Sequence, residues 1–485
     1  MTMLWTSAEI AAACHGSSPG SSPGSSPASW TASGVSIDSR KVNAGDLFVA
    51  LQGPKFDGHA FVAGALASGA AGALVHGGTD HIPASLHHRL VVVKDTFIAL
   101  NELARAARAR TNARVVAVTG SVGKTGTKDM LQAVLSPQGM THATSGNLNN
   151  HWGVPLTLAR LPRKARFAVI EIGMNHPGEI APLAKLARPH AAVVTTVAAV
   201  HLEFFDSVAG IAAEKASIAA GIETNGCLIL PADNSEIDTL HRIAAQAGVA
   251  SVVTFGAAET ADVRLVDFAV NAGGTQVVAE IAGRRLRYDL GLSGRHAALN
   301  SLAVIAAARA LGADLDGVIQ ALAHVTPTEG RGNRSVVPLA GGDITVIDES
   351  YNASPTSVLA LAEAAALFPR RAASRFVLVL GDMLELGAEA PALHAGLAQR
   401  LVELKVDVVF TAGPLMEHLH TTLPRAMRGG HAKDSLALLP LVVQSVKAGD
   451  VIAVKGSHGS NMRPIVDGLT SLAIATRPTR AANGH

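Results

Sequence analysis

The segment TGSVGKT sets Gly120, Ser121, Val122, Gly123, Lys124 and Thr125 between an apolar run, VVAVTG (115–120), and a helix-forming run, TKDMLQAVL. Strand, glycine loop, helix is the context a phosphate site requires. Glycine lets backbone N–H groups turn toward phosphate oxygens, and the helix N-terminus adds positive potential. In such a loop Lys124 reaches the β- and γ-phosphates and Thr125 ligates Mg²⁺. The full pattern G-x-x-x-x-G-K-[ST] wants glycine at 118, where Val118 stands. The alternative is a strand–helix turn that happens to contain glycine; GKT directly after a buried strand favours the nucleotide.

Other residues have chemistry to offer near strand ends. FAVIEIG (167–173) puts Glu171 near the C-terminal end of an apolar strand, where open α/β sheets bind ligands. A carboxylate beside phosphates is a candidate Mg²⁺ ligand, since magnesium takes oxygen donors; a capping or surface role is the plainer reading. His201 follows another strand, and Lys215 lies in the apolar helix GIAAEKASIAAGI. A buried ammonium is costly, so Lys215 must reach water, pair with Glu214, or serve a site. In GNLNNHWGVP (146–155), Asn147, Asn149 and Asn150 can bind a polar substrate or form turns. SGRHAALN (293–300) opens a helix whose Asn300 can hydrogen-bond a base. IDESYNASP (347–355) ends a strand with Asp348 and Glu349, then Tyr351 and Asn352. The paired carboxylates fit an acid/base couple, a ribose ligand or a metal ligand equally well.

These residues need a scaffold, and the 485-residue chain has material for about three domains. It is 48% hydrophobic but only 4% aromatic, which suits helices packed on buried parallel strands. Forty basic against 38 acidic residues argue against a nucleic-acid partner. No apolar run is long enough to predict a membrane span. The two cysteines, Cys14 and Cys227, cannot build a disulfide framework. The N-terminus lacks the basic region of a secretory signal, so a cytoplasmic protein is expected. GSSPGSSPGSSP (16–27) is low-complexity and reads as a flexible surface insertion without a catalytic role.

Short strands (DLFVAL, GALVH, LVVV) alternate with helices between 34 and 93, predicting a small α/β domain. ALNELARAARAR (99–110) is a helix leading into the next unit. VVAVTG, FAVIEIG, AAVVTTV, CLILPAD and SVVTFG then predict a parallel sheet with helices on both faces. From about 330, ITVID, FVLVLGD, DVVFTAG and DVIAVKGS predict a second, Rossmann-like doubly wound sheet. The fold class expected is therefore α/β in three domains, divided at 1–88, 89–329 and 330–485.

Taken together, TGSVGKT, GNLNN, EIG (171–173), HLE (201–203), Lys215, GRHAALN (294–300), GR (330–331), DESYNA (348–353) and GDMLELG (381–387) resemble the Mur ligases of peptidoglycan precursor synthesis. The resemblance runs along nearly the whole chain. That family's phosphate loop is TGxxGKT, without the distant Walker glycine, so Val118 is expected. GNLNNHWGVPLTL, DESYNASP and VKGS (454–457) are most similar to the members that add D-alanyl-D-alanine to UDP-N-acetylmuramoyl-tripeptide. The DNPR motif of the diaminopimelate-adding members and the His-His-Pro of the alanine-adding ones are absent.

The resemblance implies that residues 120–125 hold ATP phosphates and that Lys124, Lys215 and His201 are catalytic. It implies that Thr125, Glu171 and His201 ligate Mg²⁺, two ions in all, and that Lys215 is carbamylated, which would turn a buried cation into an anion. Asn300 and Arg331 would contact adenine and phosphates, and Asp348 the ribose. SIDSRKVNAGDLFVALQG (36–53) and FDGHAF (56–61) resemble the uridine-nucleotide-binding segment, with Ser39 and Arg40 as candidates. Asn147, Asn149, Tyr351 and Asn352 are further substrate candidates. The enzyme expected is an ADP-forming amide ligase, monomeric. Three positions depart from the family pattern: Ala297 for asparagine, Glu329 for the proline of Pro-Gly-Arg, and His458 for the arginine after KGS. A folylpolyglutamate synthase-like ligase is the alternative enzyme, and a nucleotide-binding scaffold without ligase chemistry the non-enzymatic one.

Overall fold

The computed structural model describes residues 3–19, 29–200, 202–271, 273–367 and 374–475. Most of the low-complexity insertion (20–27) and His201 lie outside the described residues.

The N-terminal block holds a four-stranded parallel sheet. Its strands Gly34–Ser36, Asp46–Val49, Gly72–His76 and Leu90–Val93 stand in sequence order. Such a sheet needs helical crossovers, and its core packs on the helices Ser7–Cys14, Val62–Ala67 and Thr96–Ala109. The first helix starts with a reciprocal cap: Thr6 accepts from the Glu9 N–H, and Glu9 accepts from the Thr6 N–H.

The central block is a nine-stranded sheet. The strand Arg114–Thr119 sits inside it, paired in parallel with Ala191–Val194 on one side and Phe167–Glu171 on the other. Period-two alternation fixes its two faces. Val116 and Val118 pack toward the helices Lys124–Leu135 and Arg295–Ala310. Val115 and Ala117 pack toward Ile180–Ala187 and Val208–Ala216. Burial on both faces is why this strand reads as an unbroken apolar run. It also delivers its C-terminal end, and the glycine loop after it, to the sheet's ligand-binding edge.

The sheet differs from the sequence expectation at its far edge. Val263–Asn271, Gly274–Ile281 and Arg284–Leu290 extend it by an antiparallel meander that the sequence reading left out. These strands alternate buried and exposed residues, the pattern of a sheet with one wet face. Their last turn is a two-residue hairpin in which both Ala282 and Gly283 have positive φ (51° and 77°), the signature of a type I′ turn.

The C-terminal block is a six-stranded sheet, ordered Asn333–Leu339, Gly342–Glu349, Val451–Lys455, Phe376–Gly381, Val408–Ala412, Arg428–Ala432. It is parallel apart from its first hairpin and carries helices on both faces. Its first and last strands were likewise not expected from sequence. They lie at the sheet's two edges and are partly exposed, so neither forms an apolar run. Among the described residues no helix is long and apolar enough to cross a membrane.

Candidate active site

A cleft of about 1170 Å³ opens where the central and C-terminal sheets face each other. Its floor is the glycine loop. Gly120 has φ +146°, and a Cβ there would lie 1.9 Å from Thr195 Oγ1. Thr195 sits so close because its hydroxyl donates to the Val122 carbonyl at 2.6 Å. Ser121 N–H donates to the Thr196 carbonyl, and Ser121 Oγ exchanges bonds with Ala198. The residues after the neighbouring strand therefore hold the loop in shape before any ligand binds. Gly123, at φ +91°, begins the helix without a side-chain cap. Its first N–H groups are thus available to an anion. A Cβ on Gly123 would meet Asn300 Nδ2 at 2.9 Å, so Asn300 lies directly against the loop.

Lys124 is folded back on its own loop, with Nζ donating to the Gly120 carbonyl at 2.6 Å. Burial pushes its pKa down, the neighbouring Glu171 carboxylate opposes that, and Arg331 adds to it. Lys124 and Glu171 are therefore electrostatic neighbours.

Glu171 is 1% exposed. Its N–H donates to Thr144 Oγ1 at 2.9 Å, and its Oε1 accepts from Asn149 Nδ2 at 2.7 Å. Its Oε2 is buried without a hydrogen-bond partner. A buried carboxyl group with one oxygen tethered and one orphaned is an unfinished arrangement, and a cation in the cleft would complete it. Thr125 lines the same cleft. Among the described residues no group of three or more His, Cys, Asp or Glu could hold a metal by itself. Glu171 and Thr125 thus suit a magnesium ion that takes most of its ligands from phosphates and water.

Lys215, in the helix Val208–Ala216, is 2% exposed and makes no hydrogen bond or ion pair among the described residues. It does not pair with Glu214. The Glu214 carboxylate accepts from the Gly178 and Ile180 N–H groups, both at 2.8 Å, and so starts the helix Ile180–Ala187. Burial holds the Lys215 pKa well below its ordinary value, and the Lys124 charge lowers it further against a weaker pull from Glu214. The depressed pKa favours the free amine, the form that reacts with CO₂, more than in an exposed lysine.

The C-terminal wall carries Arg331, Tyr351 and Asn352. The Arg331 guanidinium lies 4.0 Å from the Tyr351 ring centroid, and the His458 ring packs 5.7 Å away. The neighbours Asp348 and Glu349 are not a couple. Successive residues on a strand point to opposite faces. Glu349 lines the cleft and accepts from Lys455 Nζ at 3.0 Å. Asp348 accepts from Ser350 N–H and Oγ and lies 3.4 Å from Arg463. Of the two, Glu349 is the one that lines the cleft.

The asparagine loop divides its work. Asn147 lines the cleft, Asn149 holds Glu171, and Asn150 accepts from the Trp152 and Gly153 N–H groups to start the helix Gly153–Ala159. Ser39 and Arg40 form a surface turn outside the cleft lining, with Arg40 bonded to Asp38 at 2.9 Å. The structure brings the glycine loop, Asn147, Asn149, Glu171, Asn300, Arg331, Tyr351 and Asn352 to one cleft, with Lys215 buried near Lys124. Thr195 and Thr144 were missed in the sequence. Thr195 follows the apolar run AAVV and Thr144 the short strand Thr141–Ala143, and only their contacts reveal a role.

A glycine loop between a buried strand and a helix, opening on a carboxylate with a free oxygen, defines a nucleotide-binding α/β protein of the P-loop kind. The chain belongs to the Mur ligase family. Its residues 31–113 match the model for the "Mur ligase family, catalytic domain", 118–308 the "Mur ligase middle domain", and 334–458 the "Mur ligase, glutamate ligase domain". It is 38% identical over 442 residues to UDP-N-acetylmuramoyl-tripeptide–D-alanyl-D-alanine ligase of Escherichia coli, covering 90% of this chain and 94% of that one. Among solved structures it is similar to MurF from Acinetobacter baumannii (TM-score 0.83, 29% identity, 96% and 99% of the two chains). It is also similar to MurF ligase from Thermotoga maritima in complex with ADP (TM-score 0.78, 28% identity, 92% and 98%).

Proposed function

We propose that the protein joins D-alanyl-D-alanine to UDP-N-acetylmuramoyl-tripeptide at the expense of ATP, releasing ADP and phosphate. The observation that carries this reading is the meeting of Lys124, Glu171 and Lys215, far apart in sequence, beside the glycine loop. A nucleotide-binding scaffold has no need there of a buried lysine without a hydrogen-bond partner among the described residues, nor of a half-satisfied carboxylate.

A carboxylate is inert to amines because oxide is a poor leaving group. Transfer of the γ-phosphoryl group to the tripeptide carboxylate gives an acyl phosphate and ADP. The free amine of the dipeptide then attacks the carbonyl, and phosphate leaves. The chain's residues chiefly position groups and offset charge. The N–H groups of 120–125 cradle the phosphates. Lys124 exchanges the Gly120 carbonyl for phosphate oxygen as ATP enters. Glu171, Thr125, His201 and a carbamylated Lys215 would hold Mg²⁺, which when bound offsets the repulsion between triphosphate and carboxylate. Asn300 lies where a nucleotide on the loop would reach it. Arg331 and Tyr351 line the opposite wall.

In this reading the N-terminal block holds the uridine nucleotide, the central block the ATP, and the C-terminal block the incoming dipeptide. Closure of the three would exclude water from the acyl phosphate. The test is a coupled phosphate-release assay over UDP-muramoyl peptides with and without D-alanyl-D-alanine. Release is expected only with both substrates; ATP turnover without the UDP-peptide, or transfer to a folyl substrate instead, would defeat the reading.

A further inference from the structure

His394 lies in the helix Ala390–Ala395, 0% exposed, and does not touch the cleft. Both its ring nitrogens are committed. Nδ1 is 2.6 Å from the Ala390 carbonyl, and Nε2 is 3.0 Å from the Met383 backbone nitrogen. A carbonyl only accepts and an amide N–H only donates. The ring must therefore carry its proton on Nδ1 and keep Nε2 bare. A second proton would set N–H against N–H in a fully buried site.

Met383 begins a segment whose Leu384, Glu385 and Leu386 line the cleft. Its other anchors converge on the same place. Leu384 N–H donates to Ser457 Oγ at 2.9 Å, and Ser457 N–H donates to the Asp382 carbonyl at 3.0 Å. Glu385 is held at φ +63°, unfavourable for a side chain-bearing residue. At Gly387 the segment presses on the central block, where an added Cβ would lie 3.3 Å from Glu203 Cα. The segment thus bridges the C-terminal sheet to the loop that follows His201.

We propose that His394 is a positioning residue for the ligase reaction: as the neutral Nδ1–H tautomer it fixes segment 382–387 against Glu203 and Ser457, and protonation releases it. The kinetic half of this proposal rests on the ligase reading above; the structural half does not. Burial lowers the ring's pKa; the Ala390 carbonyl and Asp382 oppose that, and His418, the other titratable group facing the ring, adds to it, with burial the largest of these.

The experiment combines hydrogen exchange with steady-state kinetics on the full chain. In His394→Ala at pH 8, exchange should rise in 382–387 while strand 376–381 stays protected. kcat should fall about ten- to a hundred-fold, the scale of an ångström-sized misplacement, with ATP affinity within about two-fold of the unsubstituted protein. Ser457→Ala should open the same segment from its other anchor and lower kcat. His394→Gln, which restores an acceptor for the Met383 N–H, should recover part of kcat. It should also remove the acid-side loss of kcat expected with histidine. An unchanged segment in His394→Ala, or an opened segment with full kcat, would overturn the proposal. If His394→Ala also exposes 376–381, the Gln and Ser457 variants decide by the same criteria. Local opening in a chain that never releases phosphate would overturn the ligase reading and the kinetic half with it.

Discussion

Replacing Lys215 separates its chemical role from its packing. The side chain is 2% exposed, so truncation to alanine removes three buried methylenes (Cγ, Cδ and Cε) at ~0.8 kcal/mol each, about 2.4 kcal/mol. Lys215→Met keeps most of that stem and deletes the amine. The sign of its effect on stability follows from linkage. The pKa of Lys215 is depressed in the folded state, so below the ordinary lysine range the unfolded chain binds the extra proton, which disfavours folding. Methionine removes that penalty. Lys215→Met should therefore be as stable as the parent protein at pH 7, or more stable, in urea denaturation. Its phosphate release should nevertheless fall by about 10²–10³, the scale of losing one preorganised charge in an active site. Lys215→Ala should lose activity equally and regain part of it with a small carboxylic acid, which fits the vacated space and supplies an anion. Intact-mass spectrometry under bicarbonate should find a CO₂ increment on the parent protein and none on either variant. Full activity in Lys215→Met would refute the reasoning, as would a destabilisation of about 2.4 kcal/mol in that variant, as large as truncation itself, since the amine would then be structural.

Asn149→Ala should free Glu171 Oε1 and weaken Mn²⁺ binding, read by electron paramagnetic resonance, by about 10–100-fold, as loss of the partner that orients a metal ligand does. Unchanged Mn²⁺ affinity would remove Asn149 from that role. Gly123→Ala must adopt φ +91° at a cost of about 1–2 kcal/mol and meet Asn300 as well, so ATP affinity by calorimetry should drop about ten-fold or more. His190 accepts the Val115 N–H at Nδ1, and burial, with Arg114 and Arg108 adding to it, lowers its pKa to about 4. Its contribution is complete above pH 6.5 and is lost as pH falls toward 4. His190→Asn, which keeps an acceptor that does not titrate, should flatten the fall of urea midpoint across that window.

Much of the architecture was legible because burial on both faces writes itself into local sequence. VVAVTG, FAVIEIG, AAVVTTV and CLILPAD are apolar runs, and each is a strand of the central sheet. The meander 263–290 escaped because its strands expose every second residue and blend with polar loops in composition. Edge strands 333–339 and 428–432 escaped for the same reason.

The sequence by itself determined the glycine loop. Strand, loop and helix are contiguous there, and positive φ at Gly120 and Gly123 is a local demand that only glycine meets cheaply. It also singled out Lys215, since the helix around it is apolar, but left open whether the amine reaches water, pairs with Glu214 or serves a site. It did not determine what these groups face. That Glu171 spends one oxygen on Asn149 and none on Lys124, that Glu214 caps another helix instead of pairing with Lys215, and that Glu349 rather than Asp348 enters the cleft were decided by tertiary structure. Hydrogen-bond partners are chosen among groups tens of residues apart, and a one-residue step along a strand reverses which face a side chain serves.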